Sequence, residues 1–541
     1  MKNKLLFLSI ISGLLLWIAW PPTHYTTFLL FVGLVPMLLL LEEIMESNSN
    51  RKGFLIFWMS FLGFFIWNTL SVYWVYNSIK TIGALVAVPI SFIPYSLGPL
   101  LMSTACWLYY RLRKIAPLNW SLAGLVCFWI GYEYLHQSWD LAFPWMTLGN
   151  GFAISHQWIQ WYEYTGVYGG TIWIWLVNIL IFLIYQSLKK QSQKKHRQRL
   201  VAAVVLAIVL PLSLSLFMYF QYKEQEDPSN IVVVQPNIDP YEKVGTISTS
   251  DQINTLITLS KKVAQPNTEF IIWPETAIFD EKGIDEDQIR SSNYYLQVQR
   301  FLYPYKNANV LTGIESYKFY SHDPTPSSEQ IPGYTMFVDR FDAAVNIENS
   351  AKVQFYHKSK LVPGVEQMPF GSALSFLKPV FAHLGGSTGS YGKQDEPTVF
   401  YSQSGIGAAP VICYESIYGE YVGKYVLKGA QFIAVITNDG WWENTSGKDQ
   451  HLDYAKLRAI ETRRWVCQSG NTGLSAFINQ RGDVVQQTKW WTQTAIKQDI
   501  NLNSDLTFYV KHGDYLAKAA CLIALIIIIF LLVNKVIIKV K

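Results

Sequence analysis

The sequence predicts two bodies of different fold class, a multi-span α-helical membrane domain and a layered α/β domain set before its last helix. Three observations carry this. Half of the 541 residues are hydrophobic and only 15% are charged, a departure from soluble proteins toward membrane proteins. The apolar residues gather in long runs at the two ends of the chain. Between about Glu224 and Asp514 the texture changes to short β-branched runs separated by helical patterns.

A helix that crosses a bilayer needs about 20 apolar residues, somewhat fewer when its ends snorkel. Candidate spans are Leu5 to Trp20, Phe28 to Leu41, Phe54 to Val75, Ala84 to Tyr109, Leu122 to Leu135, Thr171 to Tyr185, Leu200 to Phe220 and Leu516 to Val533. The expected organisation is therefore a seven-helix membrane domain over 1–223, an extracytoplasmic domain over 224–514 and a C-terminal span over 515–541. Pro89, Pro94 and Pro99 should kink the fourth span, which a membrane helix tolerates when neighbours satisfy the freed backbone groups.

Basic residues fall at alternate ends of these spans: Lys2 and Lys4, Arg51 and Lys52, Arg111 to Lys114, the run from Lys189 to Arg199, and Lys535, Lys539 and Lys541. By the positive-inside rule both termini face the cytoplasm and the large polar segment lies outside. The first span follows basic residues as a signal peptide does. Its end, "WIAWPP", offers no small-residue cleavage site, so an uncleaved helix is expected.

In the polar segment the expected strands are "NIVVVQPN" (230 to 237), "TEFIIWPE" (268 to 275), "NANVLTGIE" (307 to 315), "TMFVDR" (335 to 340), "GAAPVICYE" (407 to 415), "AQFIAVITND" (430 to 439) and "LSAFINQRGDVV" (474 to 485). Ser250 to Val263 has capping residues and places Ile253, Leu256, Ile257 and Leu259 at helical spacing. A sheet covered by helices follows, an α/β or α+β layered domain. The net charge of +5 is small for this length, and no basic, aromatic-interleaved stretch argues for nucleic acid. The five cysteines show no C-x-x-C pair and no regular spacing, which points away from zinc and from a disulfide framework.

Three features of the polar segment carry chemistry. In "IIWPETA" a buried strand ends at Trp273-Pro274, and Glu275 projects beyond it. In "YHKSKLVPGVEQMPF", Lys358 and Glu366 flank a Pro/Gly loop. In "VICYESIYGE", Cys413 stands where an apolar strand gives way to a polar, aromatic turn, a place where a helix N-terminus favours a thiolate. A carboxylate takes a thiol proton and an ammonium stabilises both thiolate and oxyanion, so cysteine, lysine and glutamate form a workable nucleophilic set.

In order, spacing and flanking residues this series resembles the nitrilase superfamily, and together with eight spans it resembles that superfamily's membrane-embedded, lipoprotein-acylating branch. The resemblance runs through "VQPNI" (234 to 238), "WPETA" (273 to 277), "YHKSKLVPGVE" (356 to 366), "ICYE" (412 to 415), "TNDGWW" (437 to 442), "QHL" (450 to 452), "RAIE" (458 to 461), "NTG" (471 to 473) and the loop "LAFPWMTLGN" (141 to 150). It implies a nitrilase-like αββα sandwich. Glu275 is then the general base, Lys358 the thiolate and oxyanion stabiliser, Cys413 the nucleophile, Glu366 an additional positioning carboxylate, and Tyr414 and Glu415 supporting residues. It further implies that a phospholipid, often phosphatidylethanolamine, gives its sn-1 chain through a cysteine thioester to the N-terminal α-amine of a diacylglyceryl-modified apolipoprotein. The place implied is the outer face of a bacterial cytoplasmic membrane, with no metal or organic cofactor. One departure stands out: Val244 occupies a position where the family usually has tryptophan.

Other readings of the same residues stay open at this level. The set also suits a membrane-anchored amidase acting on small C–N substrates, for which one anchor suffices, or an inactive lipid-binding domain on a transporter or receptor. Taken singly, Glu275 reads as a surface carboxylate, Lys358 as a solvated lysine, His451 as a satisfied loop histidine and Cys467 as core. Trp441 and Trp442 fit either the domain core or a membrane-dipping loop. Glu133, near the outer end of a span, reads most simply as a carboxylate reaching interfacial water.

Overall fold

The structure, a computed structural model, describes residues 2–540 except 242, 244, 245, 281, 282, 326 and 371–390. Val244 thus lies outside the described residues. The chain divides into two compact units, Met1–Tyr76 with Gly83–Gln221 and His512–Lys541, and Asn77–Ile82 with Tyr222–Lys511.

Among the described residues of the first unit, seven helices are long and apolar enough to cross a membrane: Lys2–Ala19, Thr27–Glu46, Lys52–Val72, Ala84–Arg113, Tyr162–Lys189, Lys194–Gln221 and Tyr515–Asn534. The expected fifth span differs. It forms a helix, Leu118–Leu135, but Asn119, Tyr132, Glu133 and Tyr134 dilute its apolar run and leave it outside that group. Its Phe128 packs with Ala105, Leu112, Ala524 and Leu531. All three prolines lie inside Ala84–Arg113. Pro99 has no N–H to offer the Tyr95 carbonyl, and Asn68 Nδ2 donates to that oxygen at 3.0 Å.

Glu133 does not reach water. It is buried and accepts from Trp129 Nε1 at 2.9 Å, Leu148 N at 2.8 Å and Thr171 Oγ1 at 3.0 Å. A buried carboxylate needs such donors, and here they tie two helices to the loop that carries "FPWMTLGN".

The second unit is built on two sheets. We label its strands β1 (Pro228–Gln235), β2 (Thr268–Ile272), β3 (Asn309–Tyr320), β4 (Phe337–Glu348), β5 (Val353–His357), β6 (Gly407–Ile412), β7 (Phe432–Thr437), β8 (Val466–Gly470), β9 (Ala476–Ile478), β10 (Val484–Gln487) and β11 (Thr494–Asn501). The main helices are α1 (Thr249–Val263), α2 (Asn293–Leu302), α3 (Gly419–Leu427) and α4 (Ser446–Thr462). The first sheet runs β11-β1-β2-β3-β4 with β5 paired to β4, and the second β10-β9-β8-β7-β6. The strands β1, β2 and β3 are parallel, as are β6, β7 and β8.

Alternation along β1 explains the layers. Val232 and Val234 join Ile271 of β2, Val310 and Ile314 of β3 and Val345 of β4 in a core with Ile253, Leu256 and Ile257 of α1 and Val298, Phe301 and Leu302 of α2. Ile231 and Val233 are equally buried and point the opposite way. On that inner side Phe270 of β2 meets Phe432 of β7 edge-on at 5.3 Å, and Ser469 of β8 donates to the Val234 carbonyl. Helices lie outside each sheet, giving the αββα order. α1 is capped by Ser248, whose side chain accepts from Asp251 N, close to the expected start. β5, β8 and β11 have no counterpart among the expected strands.

Candidate active site

Strand ends place the three candidate groups. β2 stops at Ile272, and Pro274, with no N–H to continue the ladder, turns Glu275 out of the sheet. Gly313 of β3 makes room beneath that turn: a Cβ there would lie 2.4 Å from Thr276 N and 2.6 Å from Glu275 Cα, and Gly313 N donates to the Pro274 carbonyl at 3.1 Å. Thr276 completes the turn in the left-handed region, with φ of 47°.

Lys358 follows β5 directly, and its side chain is fully buried. Its three ammonium hydrogens meet three carboxylates: Glu275 Oε1 at 3.0 Å, Asp342 Oδ2 at 2.9 Å and Glu366 Oε1 at 2.7 Å. Oxygens of those carboxylates lie within 4.8 Å of one another, a spacing that suits a cation, and the cation they share is this ammonium. Glu366 Oε2 also accepts from Val362 N at 2.8 Å, which closes the loop after Lys358. Burial alone would lower the Lys358 pKa; Asp342, Glu275 and Glu366 overcome that and hold it well above the usual lysine value. Burial raises Glu275, and the charges of Asp342 and Glu366 add to this against the pull of Lys358. Glu366 is raised by the same burial.

Cys413 stands at the C-terminal end of β6, partly buried, with φ of 47°. It opens a single helical turn, Cys413–Ile417. The thiol lies within the electrostatic reach of Glu275 and Lys358. Burial and the Glu275 charge raise its pKa well above the usual thiol value, while Lys358 and a hydrogen bond with Thr437 pull it down. Burial and Glu275 thus disfavour the thiolate, and the turn after Cys413 does not by itself supply the thiolate that its sequence position predicts. A base is needed to remove the proton.

Glu415 is the brace of this turn. It is fully buried and accepts from Ile412 N at 2.9 Å, Ser359 N at 2.7 Å, Lys360 N at 3.2 Å and Tyr356 Oη at 2.5 Å. It therefore ties the end of β6 to the segment that carries Lys358. Its carboxyl is pushed up to about 7 by burial, against the donors that favour its charge. Tyr414 is buried edge-on to Tyr418, with ring centroids 5.5 Å apart.

Two neighbours, Asp342 and Lys243, escape a sequence reading. Asp342 sits mid-strand in β4 and reaches Lys358 only because β4 pairs with β5. The one signal for it is an acid at the start of an apolar run, as in "FDAAVNI". Lys243 is buried, donates to Thr276 Oγ1 at 2.8 Å and is lowered to about 8, burial outweighing Glu275, Glu315 and Asp342. His451 lies on α4, not on a loop, and is fully buried. Trp441 is 38% exposed and packs edge-on to Tyr241, while Trp442 meets the His451 ring at 5.5 Å. Cys467 is buried in β8.

A thiol, a carboxylate and an ammonium gathered at strand ends of an αββα sandwich define a domain of the nitrilase superfamily, and the carbon-nitrogen hydrolase family model matches residues 231–504. The apolipoprotein N-acyltransferase N-terminal domain model matches residues 12–180. The apolipoprotein N-acyltransferase of Chlorobaculum tepidum is 30% identical over 96% of this chain and 95% of its own length. That of Borreliella burgdorferi is 24% identical over 95% of this chain and 93% of its own length. Among solved structures, the chain is similar to the nitrilase-superfamily protein Nit3 of Saccharomyces cerevisiae, 13% identical with a TM-score of 0.37 over 52% of this chain and 92% of that one. The chain belongs to the apolipoprotein N-acyltransferase family. It is a membrane acyltransferase of lipoprotein maturation, with a lipid donor and a lipoprotein acceptor.

Proposed function

We propose that Cys413 carries the acyl chain between two lipids in a two-step transfer. Glu275, as carboxylate, takes the Cys413 proton, and the sulfur attacks an ester carbonyl of a phospholipid. The ester C–O bond breaks, Glu275 returns the proton to the leaving oxygen, and a lysophospholipid departs from a Cys413 thioester. The α-amine of a diacylglyceryl-cysteine then attacks the thioester. Its proton passes to Glu275, the C–S bond breaks, and the thiol is restored beside a new amide.

The observation that carries this reading is the gathering of Glu275 and Lys358 at 3.0 Å within electrostatic reach of Cys413. All three Lys358 hydrogens are engaged at rest. Once Glu275 is protonated its hold on the ammonium weakens, and one Lys358 hydrogen is released toward the oxyanion at the moment negative charge develops there. Glu366 and Asp342 keep the other two in place.

The donor is a phospholipid giving its sn-1 chain, phosphatidylethanolamine foremost, and the acceptor is the N-terminus of a diacylated apolipoprotein. The alternation of basic residues supports a catalytic unit on the periplasmic side of the inner membrane. The test is turnover by the purified full chain with phosphatidylethanolamine and a diacylated lipopeptide. N-acylated lipopeptide and lysophospholipid should form with the wild type and not with Cys413→Ala. Release of ammonia from simple amides without lipid would instead support an amidase.

A further inference from the structure

We propose that His451 is a positioning residue for the acyl transfer, holding the carbonyl of Cys413 and with it the left-handed backbone that aims the thiol. The proposal rests on Cys413 as the nucleophile. With φ of 47°, Cys413 adopts a conformation that a residue with a side chain rarely takes, so its surroundings must enforce it.

The enforcing groups form one buried chain. The Cys413 carbonyl accepts from Ser416 Oγ at 2.9 Å and faces His451 Nε2 at 3.2 Å, and Ser416 Oγ lies 2.8 Å from the same nitrogen. The Cys413 carbonyl only accepts and Ser416 Oγ already donates to it, so the Nε2 contacts are hydrogen bonds when Nε2 carries hydrogen; the Asp439 carboxylate likewise only accepts, so the full network is that of a ring with hydrogen on both nitrogens. The ring is oriented from its other side by Asp439, whose Oδ1 lies 2.9 Å from Nδ1 and accepts from Thr437 Oγ1 at 2.6 Å. The Cys413 carbonyl is thus held by a buried chain running through Ser416, His451, Asp439 and Thr437.

Helix α4 extends the grip. Two turns beyond His451, Arg458 donates to the carbonyls of Ser416 at 3.2 Å and Ile417 at 2.7 Å, and it pairs with Glu461 at 2.8 Å. One helix therefore fixes both ends of the Cys413–Ile417 turn. Ser416, His451 and Asp439 repeat the order of a hydroxyl, imidazole and carboxylate catalytic set, but all three are fully buried and the hydroxyl is engaged by the Cys413 carbonyl. They act through the backbone, not on substrate.

The test compares His451→Gln with His451→Asn in the purified full chain. A glutamine amide reaches the place of Nε2 and can donate to the Cys413 carbonyl; an asparagine amide reaches only the place of Nδ1. The expected kcat is about a hundredfold below wild type for His451→Asn and within about tenfold for His451→Gln, with KM for the phospholipid unchanged in both. Equal losses in the two variants, a wild-type kcat in His451→Asn, or a change confined to KM would overturn the proposal. Should His451→Asn not fold, Asp439→Asn frees the same ring to turn; a kcat about tenfold lower at constant KM supports the proposal, and a wild-type kcat overturns it. Cys413→Ala, run beside them, separates the two readings: turnover in that variant removes the nucleophile assignment, whatever His451 does.

Discussion

Asp342 and Lys358 are joined twice across adjacent strands. The backbone N–H of Lys358 donates to the Asp342 carbonyl at 2.9 Å, and its ammonium donates to Asp342 Oδ2 at the same distance. The charge of Asp342 raises both Glu275 and Lys358. Asp342→Asn keeps the shape and removes that charge. The Glu275 pKa then falls, so the acid limb of Cys413 acylation is expected to move to lower pH. The pH dependence of the acylation rate in this variant and the wild type checks this, and coincident acid limbs would exclude a role for the Asp342 charge.

In the wild type, Glu275 must be ionised to act as a base, and burial, Asp342 and Glu366 raise its pKa. Below that raised pKa it is protonated and idle; above it, competent. Cys413 acylation should therefore climb with pH well beyond the ordinary carboxylate range of about 4, while Lys358 keeps its charge because its own pKa is raised. Measuring the first half-reaction alone keeps the titrating acceptor amine out of the profile. A rate already level from about pH 5 upward would contradict Glu275 as the base.

Gly313 is the floor under Glu275. A methyl group there meets backbone atoms of Glu275 and Thr276 at 2.4–2.8 Å, which no side-chain rotation relieves. Gly313→Ala is expected to slow Cys413 acylation about a hundredfold through displacement of the carboxylate. Single-turnover acylation at fixed pH is the check. A wild-type rate would mean that the turn yields without moving Glu275.

Glu415 satisfies three backbone N–H groups and the Tyr356 hydroxyl in the interior. Glu415→Ala leaves the three N–H groups without that acceptor, each at a cost of about 1–3 kcal/mol, while the Tyr356 hydroxyl keeps Tyr421. The expected outcome is a lower thermal midpoint together with lost acylation, since the same carboxylate ties the Cys413 turn to the Lys358 segment. Glu415→Gln restores one acceptor oxygen and should fall between the two in thermal denaturation. An unchanged midpoint in Glu415→Ala would refute its role as a brace.

Residues that end strands are legible in the sequence because a break in hydrophobic pattern is visible there. Trp273-Pro274 before Glu275 and the aromatic turn after Cys413 are such breaks. Asp342 is not legible, because its meaning depends on which residue lies opposite on a partner strand, and β5, the strand that carries Lys358 into place, has too short and mixed a pattern to stand out. His451 reads as a loop residue because polar and charged side chains are spread all round α4, which leaves no separate apolar stripe to mark its period even though nearly all of the helix is buried. Leu118–Leu135 reads as a full span from its apolar middle, while its polar ends answer to Glu133 and the loop it holds.

The most direct measurement is the intact mass of the purified chain, with Cys413 located by peptide mapping, after incubation with phosphatidylethanolamine and again after addition of a diacylated lipopeptide. Transfer through Cys413 predicts one acyl chain in thioester linkage on that residue, and its disappearance as the lipopeptide gains an amide-linked chain. A protein that turns over with Cys413 never acylated, or acylated at another residue, would contradict it.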